Sequence, residues 1–313
     1  SANIINSLKF CDALNEYFRV IFLLPNNKLS YKKISNNYNL KKKITFKSLI
    51  NKKLNSKKNK FIFLFKVVKY VKANQSNGDL ILSRSILSSI LLSFLNIKNT
   101  LEIHHNLSGY SKFLFEILIN TNFKKNISFI LIHKNLINDL GISNLNYIVL
   151  DDAAEINKKI SKINHLKNTC VYIGSFYKGK GIEIIIKLSK IMPNIKFHLY
   201  GDFAALEARK IFISQKNLKL VRKLNYNEVH KVLNKYQVAL MPYGNKIMSK
   251  AKNIEISRYI SPLKMFDYLS AGNIIIASKL SAYKHILKNN SNSFVIDNKR
   301  IYFWKKILNK IFK

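Results

Sequence analysis

The chain has 313 residues, 48% of them hydrophobic, so it is long enough for two domains with separate cores and too apolar to be a disordered protein. Its 54 Lys and Arg residues outnumber its 16 Asp and Glu residues, and the net charge of +38 reflects either an anionic partner or compositional drift, because Lys, Asn and Ile are abundant throughout. The isolated Cys11 and Cys170 argue against a disulfide framework and a thiol nucleophile, and no apolar run reaches the ~18 residues of a membrane span, so we expect a cytoplasmic protein.

The first 150 residues alternate short apolar strands with amphipathic helices. In chain order the predicted elements are helix 3–17, strand 19–24, helix 43–55, helix 61–73, strand 79–82, helix 84–95, strand 100–104, helix 110–121, strand 127–132, helix 134–140 and strand 147–150. This alternation is typical of a parallel sheet covered by helices on both faces, and it predicts one α/β domain over residues 1–150.

The second half repeats the alternation. Its predicted elements are strand 169–174, helix 180–191, strand 196–200, helix 203–213, strand 218–221, helix 226–235, strand 238–241, loop 243–260, helix 262–271, strand 274–277, helix 281–288, strand 293–296 and a final helix from about residue 300. We therefore predict a second α/β domain over residues 169–313, a polar, Lys-rich linker over residues 151–168, and a substrate cleft between the domains.

The segment from Arg258 to Ser278 carries the most consistent local signals. Ser261 is a good N-cap residue, the next residue is Pro, and Gly272 suits the left-handed conformation that ends a helix. Lys264 and Asp267 are three residues apart, so we expect them to point the same way near the helix start.

The start of this helix is a candidate phosphate site. The free amides of Leu263 and Lys264, at the positive end of the helix dipole, follow the apolar strand 238–241, as ligand sites do in open parallel sheets. The geometry suits a nucleotide diphosphate. The alternative is a well-capped helix that only packs against the sheet.

A second candidate segment runs from Val171 to Gly181, as a strand, a polar turn with Ser175 and Lys180, and the start of a helix. Together with the segment from Arg258 to Ser278, it resembles the donor-binding half of family 4 glycosyltransferases of the GT-B fold, and the resemblance covers nearly the whole chain. It implies two Rossmann-like domains whose parallel sheets face each other across a cleft.

The resemblance also implies roles for residues near the donor diphosphate. Lys180 falls on the lysine of the family's Gly-Arg-x-x-x-x-Lys-Gly turn, while Ser175 stands where the arginine usually is, so Lys178 and Lys264 are candidates to compensate. Spacing alone would favour the alternative that Lys180 is one solvated lysine in a lysine-rich protein.

Further roles concern the nucleoside. The family segment that matches residues 258–278 carries two glutamates; Tyr259 replaces the first, and Asp267 matches the second, which binds the ribose hydroxyls. The resemblance places Gly201 beneath the nucleotide base. Leu224, at the end of the next strand, is a candidate to line the same base pocket through backbone groups, and Ser261 is a candidate donor-binding residue at the phosphate-binding helix start.

In the first half, His104 falls on the family's strand-end histidine, which contacts the transferred sugar, although a single His near a strand end is often structural or solvated. The family pattern begins with a strand and a Gly-rich turn ahead of a helix like 3–17. Neither is present, so we expect the natural start to be missing.

Residues 41–60 contain nine lysines and no acidic residue. Phe46, Leu49, Ile50 and Leu54 recur at helical spacing, which predicts a basic amphipathic helix that lies on anionic lipid. An RNA-binding arm and a helix packed on the sheet are the alternatives.

From the resemblance we expect a retaining, metal-independent glycosyltransferase that needs no cofactor besides its nucleotide-sugar donor. Its acceptor would be a glycan or lipid-linked glycan of cell-surface polysaccharide synthesis, and no specific nucleic acid is expected. His104, Lys180 and Asp267 are the predicted catalytic set, with the lysine stabilising the negative charge of the departing diphosphate. The alternatives are a nucleotide-sugar epimerase, for which no acid and base groups are evident, and a non-enzymatic polyanion-binding protein.

Overall fold

The computed structural model describes residues 2–25, 31–41, 43–50, 56–156, 165–202, 215–248 and 255–313. Internal contacts divide the chain into unit 1, Ser1–Asp151, and unit 2, Asp152–Lys313. The predicted helix 203–213 lies outside the described residues, as does part of the predicted linker.

Unit 1 alternates helices with parallel strands. Its helices are α1 (Ala2–Leu14), α2 (Tyr31–Tyr38), α3 (Lys57–Asn74), α4 (Ile86–Phe94), α5 (Gly109–Ile119) and α6 (Asn135–Leu140). Its strands are β1 (Ile21–Leu24), β2 (Thr45–Ser48), β3 (Leu82–Ser83), β4 (Asn99–Ile103), β5 (Ile127–Leu131) and β6 (Tyr147–Val149). The strands form a two-stranded sheet, β1-β2, and a four-stranded sheet in the order β3-β4-β5-β6.

Unit 2 is built around one six-stranded parallel sheet. Its strands are β7 (Thr169–Ile173), β8 (Lys196–Tyr200), β9 (Leu218–Val221), β10 (Val238–Met241), β11 (Ile274–Ser278) and β12 (Ser293–Ile296), in the order β12-β11-β10-β7-β8-β9. The described helices are α7 (Ile182–Ile191), α8 (Tyr226–Leu233), α9 (Leu263–Ser270) and α10 (Ile301–Phe312).

Both faces of this sheet are buried. Cys170 and Tyr172 of β7 point into a core shared with α7 and α10, and Val171, between them, points into a second core shared with α8 and α9. Because helices cover both faces, every residue of β10 is buried, which explains the continuous apolar run of that strand. The α/β fold class expected from the alternating pattern is thus confirmed.

The helix predicted over residues 43–55 is wrong. Thr45–Ser48 is strand β2, which pairs in parallel with β1. Ile44 and Phe46 both pack into the cluster around Leu8, so their two-residue period prevails over the helical period. Residues 42 and 51–55 lie outside the described residues, and the predicted lipid-binding helix loses its basis over the residues that are described.

One smaller expectation is also wrong, and one helix was not predicted. The helix predicted over 281–288 is only a short 3-10 turn at Ser281–Tyr283. Beyond it the backbone bonds to an asparagine side chain: the amide of Lys288 donates to Oδ1 of Asn292, and the side-chain amide of Asn292 donates to the carbonyl of Ile286. Helix α2, which lies in a stretch of mostly polar residues, was not predicted.

Among the described residues, none of the helices has the length and apolar character needed to traverse a bilayer.

Candidate functional site

The candidate site of unit 2 lies where its strand order reverses. β7 and β10 are neighbours in the sheet, while the chain continues from β7 towards β8 on one side and from β10 towards β11 on the other. In open parallel sheets, ligands bind beyond the carboxyl ends of the strands at this topological switch point. The turn after β7, the loop after β10 and the start of α9 meet here.

Close backbone contacts hold the first two of these segments together. The amide of Gly244 donates to the carbonyl of Gly179 over 2.9 Å. A methyl group on Gly181 would lie 1.4 Å from the carbonyl oxygen of Pro242, and Gly181 has a φ of +79°, so no other residue fits between the two segments.

The side chain of Lys264 points into this site from the first turn of α9. The residue as a whole is partly exposed, but its Nζ atom is buried and has no hydrogen-bond partner among the described residues. Nζ lies 3.7 Å from the ring centroid of Tyr172 and 5.2 Å from that of Tyr243. A methyl group on Gly174 would lie 2.6 Å from Nζ, so the glycine provides the space for the ammonium group.

Lys180 approaches the same aromatic wall. Its Nζ lies 4.9 Å from the ring centroid of Tyr243. Burial lowers the pKa of Lys180 from 10.5 to about 8. Burial also lowers the pKa of Lys264 well below its ordinary value, and the positive charge of Lys180 lowers it further. The ammonium groups of Lys180 and Lys264 are therefore near enough to repel each other, and both are poorly solvated because they are buried.

This arrangement suits an anion. A buried ammonium group without a partner is costly, and a second positive charge nearby increases the cost, whereas a bound anion would relieve both. The amides of Leu263 and Lys264 lie in the first turn of α9, where intrahelical hydrogen bonds leave amides available.

Ser261 is not the N-cap of α9. Pro262 occupies the N-cap position without a side-chain cap, and the Ser261 hydroxyl accepts a hydrogen bond from the amide of Asp152 over 2.9 Å. The left-handed Gly272, with a φ of +71°, follows the helix end as expected. The helix thus ends as predicted, while its start is held by the segment that enters unit 2.

Lys264 and Asp267 do not point the same way. Asp267 is 6% exposed, accepts a hydrogen bond from Tyr226, and lies 3.7 Å from Nε2 of His230, on α8. Burial raises the pKa of Tyr226, as does the charge of Asp267. The carboxylate is therefore engaged with α8, and its predicted contact with a ribose stays a prediction.

The remaining predicted donor-site residues of unit 2 fall at different distances from the switch point. Ser175 follows β7, and its carbonyl accepts from the hydroxyl of Tyr172 over 2.8 Å, which fixes the ring beneath Lys264. Gly201 follows β8 and packs against Gly174, whose carbonyl oxygen a methyl group on Gly201 would approach to 2.1 Å. Leu224 follows β9, at the edge of the sheet, and is half-buried in the core around α8.

In unit 1, His104 directly follows β4 and is held by charged neighbours. Its Nε2 atom lies 2.6 Å from Oε1 of Glu102, and the guanidinium of Arg84 contacts both side chains. Burial alone would raise the pKa of Glu102, but the hydrogen bond from His104 and the charge of Arg84 outweigh it, so the pKa lies below its ordinary value. Arg84 also donates to the hydroxyl of Ser7 on α1 over 2.9 Å.

Four residues near the predicted site residues were not predicted from the sequence. They are Tyr172 and Tyr243, whose rings lie beside the two lysines, and Arg84 and Glu102, which contact His104 in unit 1. Position at a strand end was the available signal for Glu102, but nothing local indicates which aromatic residue lies beside a lysine. Burial raises the pKa of Cys11 to about 12 and that of Cys170 well above its ordinary value, consistent with neither being a nucleophile. Within the described ranges, no group of three or more His, Cys, Asp or Glu residues is placed to hold a metal ion.

No protein-family model matches the sequence, and no curated protein matches it either. Solved structures do match. HepE of Anabaena, in complex with UDP and glucose, superposes with a TM-score of 0.67 at 14% identity, over 98% of this chain and 86% of HepE. A glycosyltransferase from Rickettsia africae superposes with a TM-score of 0.70 at 12% identity, over 98% of this chain and 84% of that protein.

TarM of S. aureus matches with a TM-score of 0.61 at 15% identity over 80% of this chain, which spans about half (51%) of the length of TarM. Identities this low show a common fold rather than a common activity. The fold implied by the sequence resemblance is confirmed: the chain has the GT-B fold of these glycosyltransferases, with two Rossmann-like units.

Proposed function

We propose that the protein is a glycosyltransferase whose nucleotide-diphosphate sugar binds at the switch point of unit 2. The observation that supports this most directly is the buried Nζ of Lys264, which has no hydrogen-bond partner among the described residues and lies in the field of Lys180. A diphosphate carries enough negative charge to pair with both lysines and has oxygens that accept hydrogen bonds from the first amides of α9.

The same groups would serve the reaction. As the bond between the sugar and the diphosphate breaks, negative charge accumulates on the departing oxygen, and two fixed cations stabilise it. Lys264 then occupies the place of the arginine that Ser175 does not supply. With two cations available, we propose that neither a divalent metal nor a further cofactor is required.

Three finer features of the proposal rest on the family resemblance. The reaction would proceed with retention, the departing phosphate oxygen taking the proton of the acceptor hydroxyl on the same face. His104 would contact the transferred sugar. Asp267 would bind the ribose, in which case its hydrogen bond with Tyr226 must be shared with the ribose hydroxyl or exchanged for it.

UDP-sugars are the first donors to test, because structures of HepE contain UDP, glucose and UDP-glucose. WaaG, a further structure with this fold, is a glycosyltransferase involved in lipopolysaccharide biosynthesis and matches with a TM-score of 0.61 at 10% identity. We propose a glycan or lipid-linked glycan of the cell surface as the acceptor.

A thermal-shift panel tests the proposal. UDP, GDP, ADP, their sugar conjugates and inorganic pyrophosphate are added to the full chain, where a ligand at about 100 times its Kd stabilises the fold by about 2.7 kcal/mol. We expect at least one nucleoside diphosphate to raise Tm, and Lys180→Ala to abolish the shift. Lys187→Ala, which removes an exposed lysine of α7, is the matched control and should leave the shift intact.

The outcome separates the alternatives. Conversion of a nucleotide sugar to its epimer without an acceptor would indicate an epimerase. Binding of any polyanion with a steep dependence on salt, unaffected by Lys180→Ala, would indicate the polyanion-binding protein. If neither pyrophosphate nor any nucleotide shifts Tm, the diphosphate site is wrong.

A further inference from the structure

Helix α3 of unit 1 exposes large apolar side chains on its outer face. Its inner face packs against the protein, since Leu64 and Val71 are buried. On the outer face, however, Phe61 is 51% exposed, Ile62 is 37% exposed and Phe65 is 64% exposed. Single exposed apolar residues are normal at protein surfaces, but three that adjoin one another on a helix mark an interaction surface.

Lysines surround these apolar side chains on the same face. The outer stripe of α3 consists of exposed residues spaced three or four apart along the helix: Lys58, Phe61, Ile62, Phe65, Lys69 and Lys72. The whole helix contains six lysines and no acidic residue. The stripe is thus an apolar patch with cations at both ends.

The basic segment before α3 adds to this charge. Nζ of Lys47, in β2, lies 6.0 Å from the ring centroid of Tyr70, in α3. Lys41, Lys43 and Lys47 are themselves exposed. Lys47, in a segment that was predicted to be helical, therefore adds a positive charge beside α3 from strand β2.

We propose that the outer stripe of α3 is a docking surface for an anionic lipid bilayer. Phenylalanine and isoleucine side chains on a convex helix can enter the boundary between head groups and acyl chains, while the flanking lysines pair with lipid phosphates. Each lysine held near an anionic membrane surface strengthens binding by about fivefold.

RNA is the competing anionic partner, and the shape of the stripe disfavours it. Proteins that stack bases on aromatic side chains do so in a groove that follows the backbone of the nucleic acid. The stripe is convex, and Ile62, an aliphatic residue without a stacking face, adjoins both of its phenylalanines. A planar, deformable lipid surface fits it better.

Helix α5 of the same unit provides a matched comparison. Tyr110 and Phe113 are 66% and 57% exposed, so the aromatic surface is similar to that of α3. The charge differs, because Lys112 of α5 pairs with Glu116 over 3.6 Å and the helix has no net charge. If exposed aromatic surface alone caused binding, both helices would contribute, whereas the proposal requires only α3.

Vesicle co-sedimentation of the full chain tests the proposal. We expect binding to vesicles of phosphatidylcholine mixed with phosphatidylglycerol but not to phosphatidylcholine alone. Phe61→Ser with Phe65→Ser should weaken that binding by about tenfold or more, because the apolar contact is lost. Tyr110→Ser with Phe113→Ser is the matched control and should change it by less than about twofold. Equal losses in the two variants would refute a surface specific to α3.

Tryptophan fluorescence keeps the test valid if the double variant folds poorly. The single natural Trp, Trp304, is fully buried in unit 2. Phe65→Trp should therefore report contact with anionic vesicles by a blue shift of its emission, which Phe113→Trp should lack. Absence of a shift for Phe65→Trp, or one caused by single-stranded RNA and not by vesicles, would overturn the proposal. Nucleotide binding is a separate measurement, so failure here leaves the function of unit 2 unaffected.

Discussion

Replacing Lys264 by Met is the sharpest test of the anion site, because it should increase stability while it removes binding. Met is also unbranched and is only one heavy atom shorter than Lys, so it can pack towards the ring of Tyr172, but it has no charge. Nζ of Lys264 is buried without a hydrogen-bond partner among the described residues. A buried group of this kind costs about 1–3 kcal/mol or more, which its contact with the ring of Tyr172 offsets only in part.

The expected gain in the free energy of unfolding is about 1–2 kcal/mol, or a rise in Tm of about 2–8 °C for a unit of this size. The expected loss of affinity for UDP is about 10- to 150-fold, because one charge-assisted hydrogen bond contributes about 1.5–3 kcal/mol. A rise in stability with a loss of binding is the usual sign of a functional group that is unfavourable in the free protein.

Thermal unfolding without ligand and isothermal titration with UDP measure the two effects separately. Lys187→Met, on the exposed side of α7, is the control and should leave both quantities unchanged. If Lys264→Met lowers Tm, the ammonium group has a stabilising partner and the argument from its burial fails. If the variant binds UDP as tightly as the natural chain, the diphosphate does not bind there.

Three further predictions concern Lys180, Gly174 and Glu102. First, the pKa of about 8 for Lys180 predicts that the affinity for UDP, measured by titration calorimetry, falls as pH rises above about 8. In the free protein, the buried charge of Lys180 is unfavourable for folding. This unfavourable contribution should fade as pH rises from about 8 to 10.5, because the folded state loses the proton before the unfolded state does. An affinity independent of pH up to about 10 would contradict this assignment. Second, Gly174→Ala should displace the ammonium group of Lys264, weakening UDP binding severalfold while circular dichroism shows the fold intact; unchanged affinity would mean that this position of Nζ is irrelevant to binding. Third, Glu102→Ala should lower the free energy of unfolding by about 1–3 kcal/mol in urea, since it removes the carboxylate that both Arg84 and His104 contact, whereas Glu116→Ala should cost under about 1 kcal/mol because that ion pair is exposed. Equal costs for the two glutamate variants would show that the group around His104 contributes no more than a surface ion pair.

The contribution of Glu102 to the stability of the fold also depends on pH. The pKa of Glu102 lies below its ordinary value in the folded state, so its contribution is present above pH 4.5 and is lost as pH falls through the folded-state pKa. A urea titration at neutral and at acidic pH should therefore show the difference between the natural chain and Glu102→Ala shrinking in acid.

The two proposed surfaces of the molecule use lysine in different ways. At the switch point of unit 2, Lys264 is buried beside Tyr172 and Lys180, so its charge is poorly screened and each atom position matters. On α3, the lysines are exposed, so salt screens their charges, and the attraction to an anionic surface depends on how many lysines there are. Raising the salt concentration should therefore weaken vesicle binding much more than it weakens nucleotide binding.

Much of unit 2 could be predicted from the sequence because its signals are local and agree. Strands 196–200, 218–221, 238–241 and 293–296 were predicted at the bounds that the structure shows, since short apolar or alternating segments between turn residues are typical of strands. Gly272 likewise ends α9 as its residue type indicates.

Residues 43–50 show where local patterns mislead. Phe46, Leu49 and Ile50 fit a helical stripe, whereas Ile44, Phe46 and Ile50 fit one face of a strand. Pairing with β1 and packing of Ile44 and Phe46 against the cluster around Leu8 decide for the strand. Neither partner is close in sequence, so no local window contains the information.

The sequence by itself thus determined the α/β class, most of the strands and helices of unit 2, and the positions of Lys180 after a strand and of Lys264 at the start of a helix, because periodicity and turn chemistry depend on neighbouring residues. Only the tertiary structure decided that Lys264 reaches Gly174 and Tyr172 while Asp267 turns towards α8, and that Ser261 bonds to Asp152 instead of capping α9. These outcomes depend on which residues, distant in the chain, share a few ångströms of buried space, and that is set by the packing of the whole sheet and its helices.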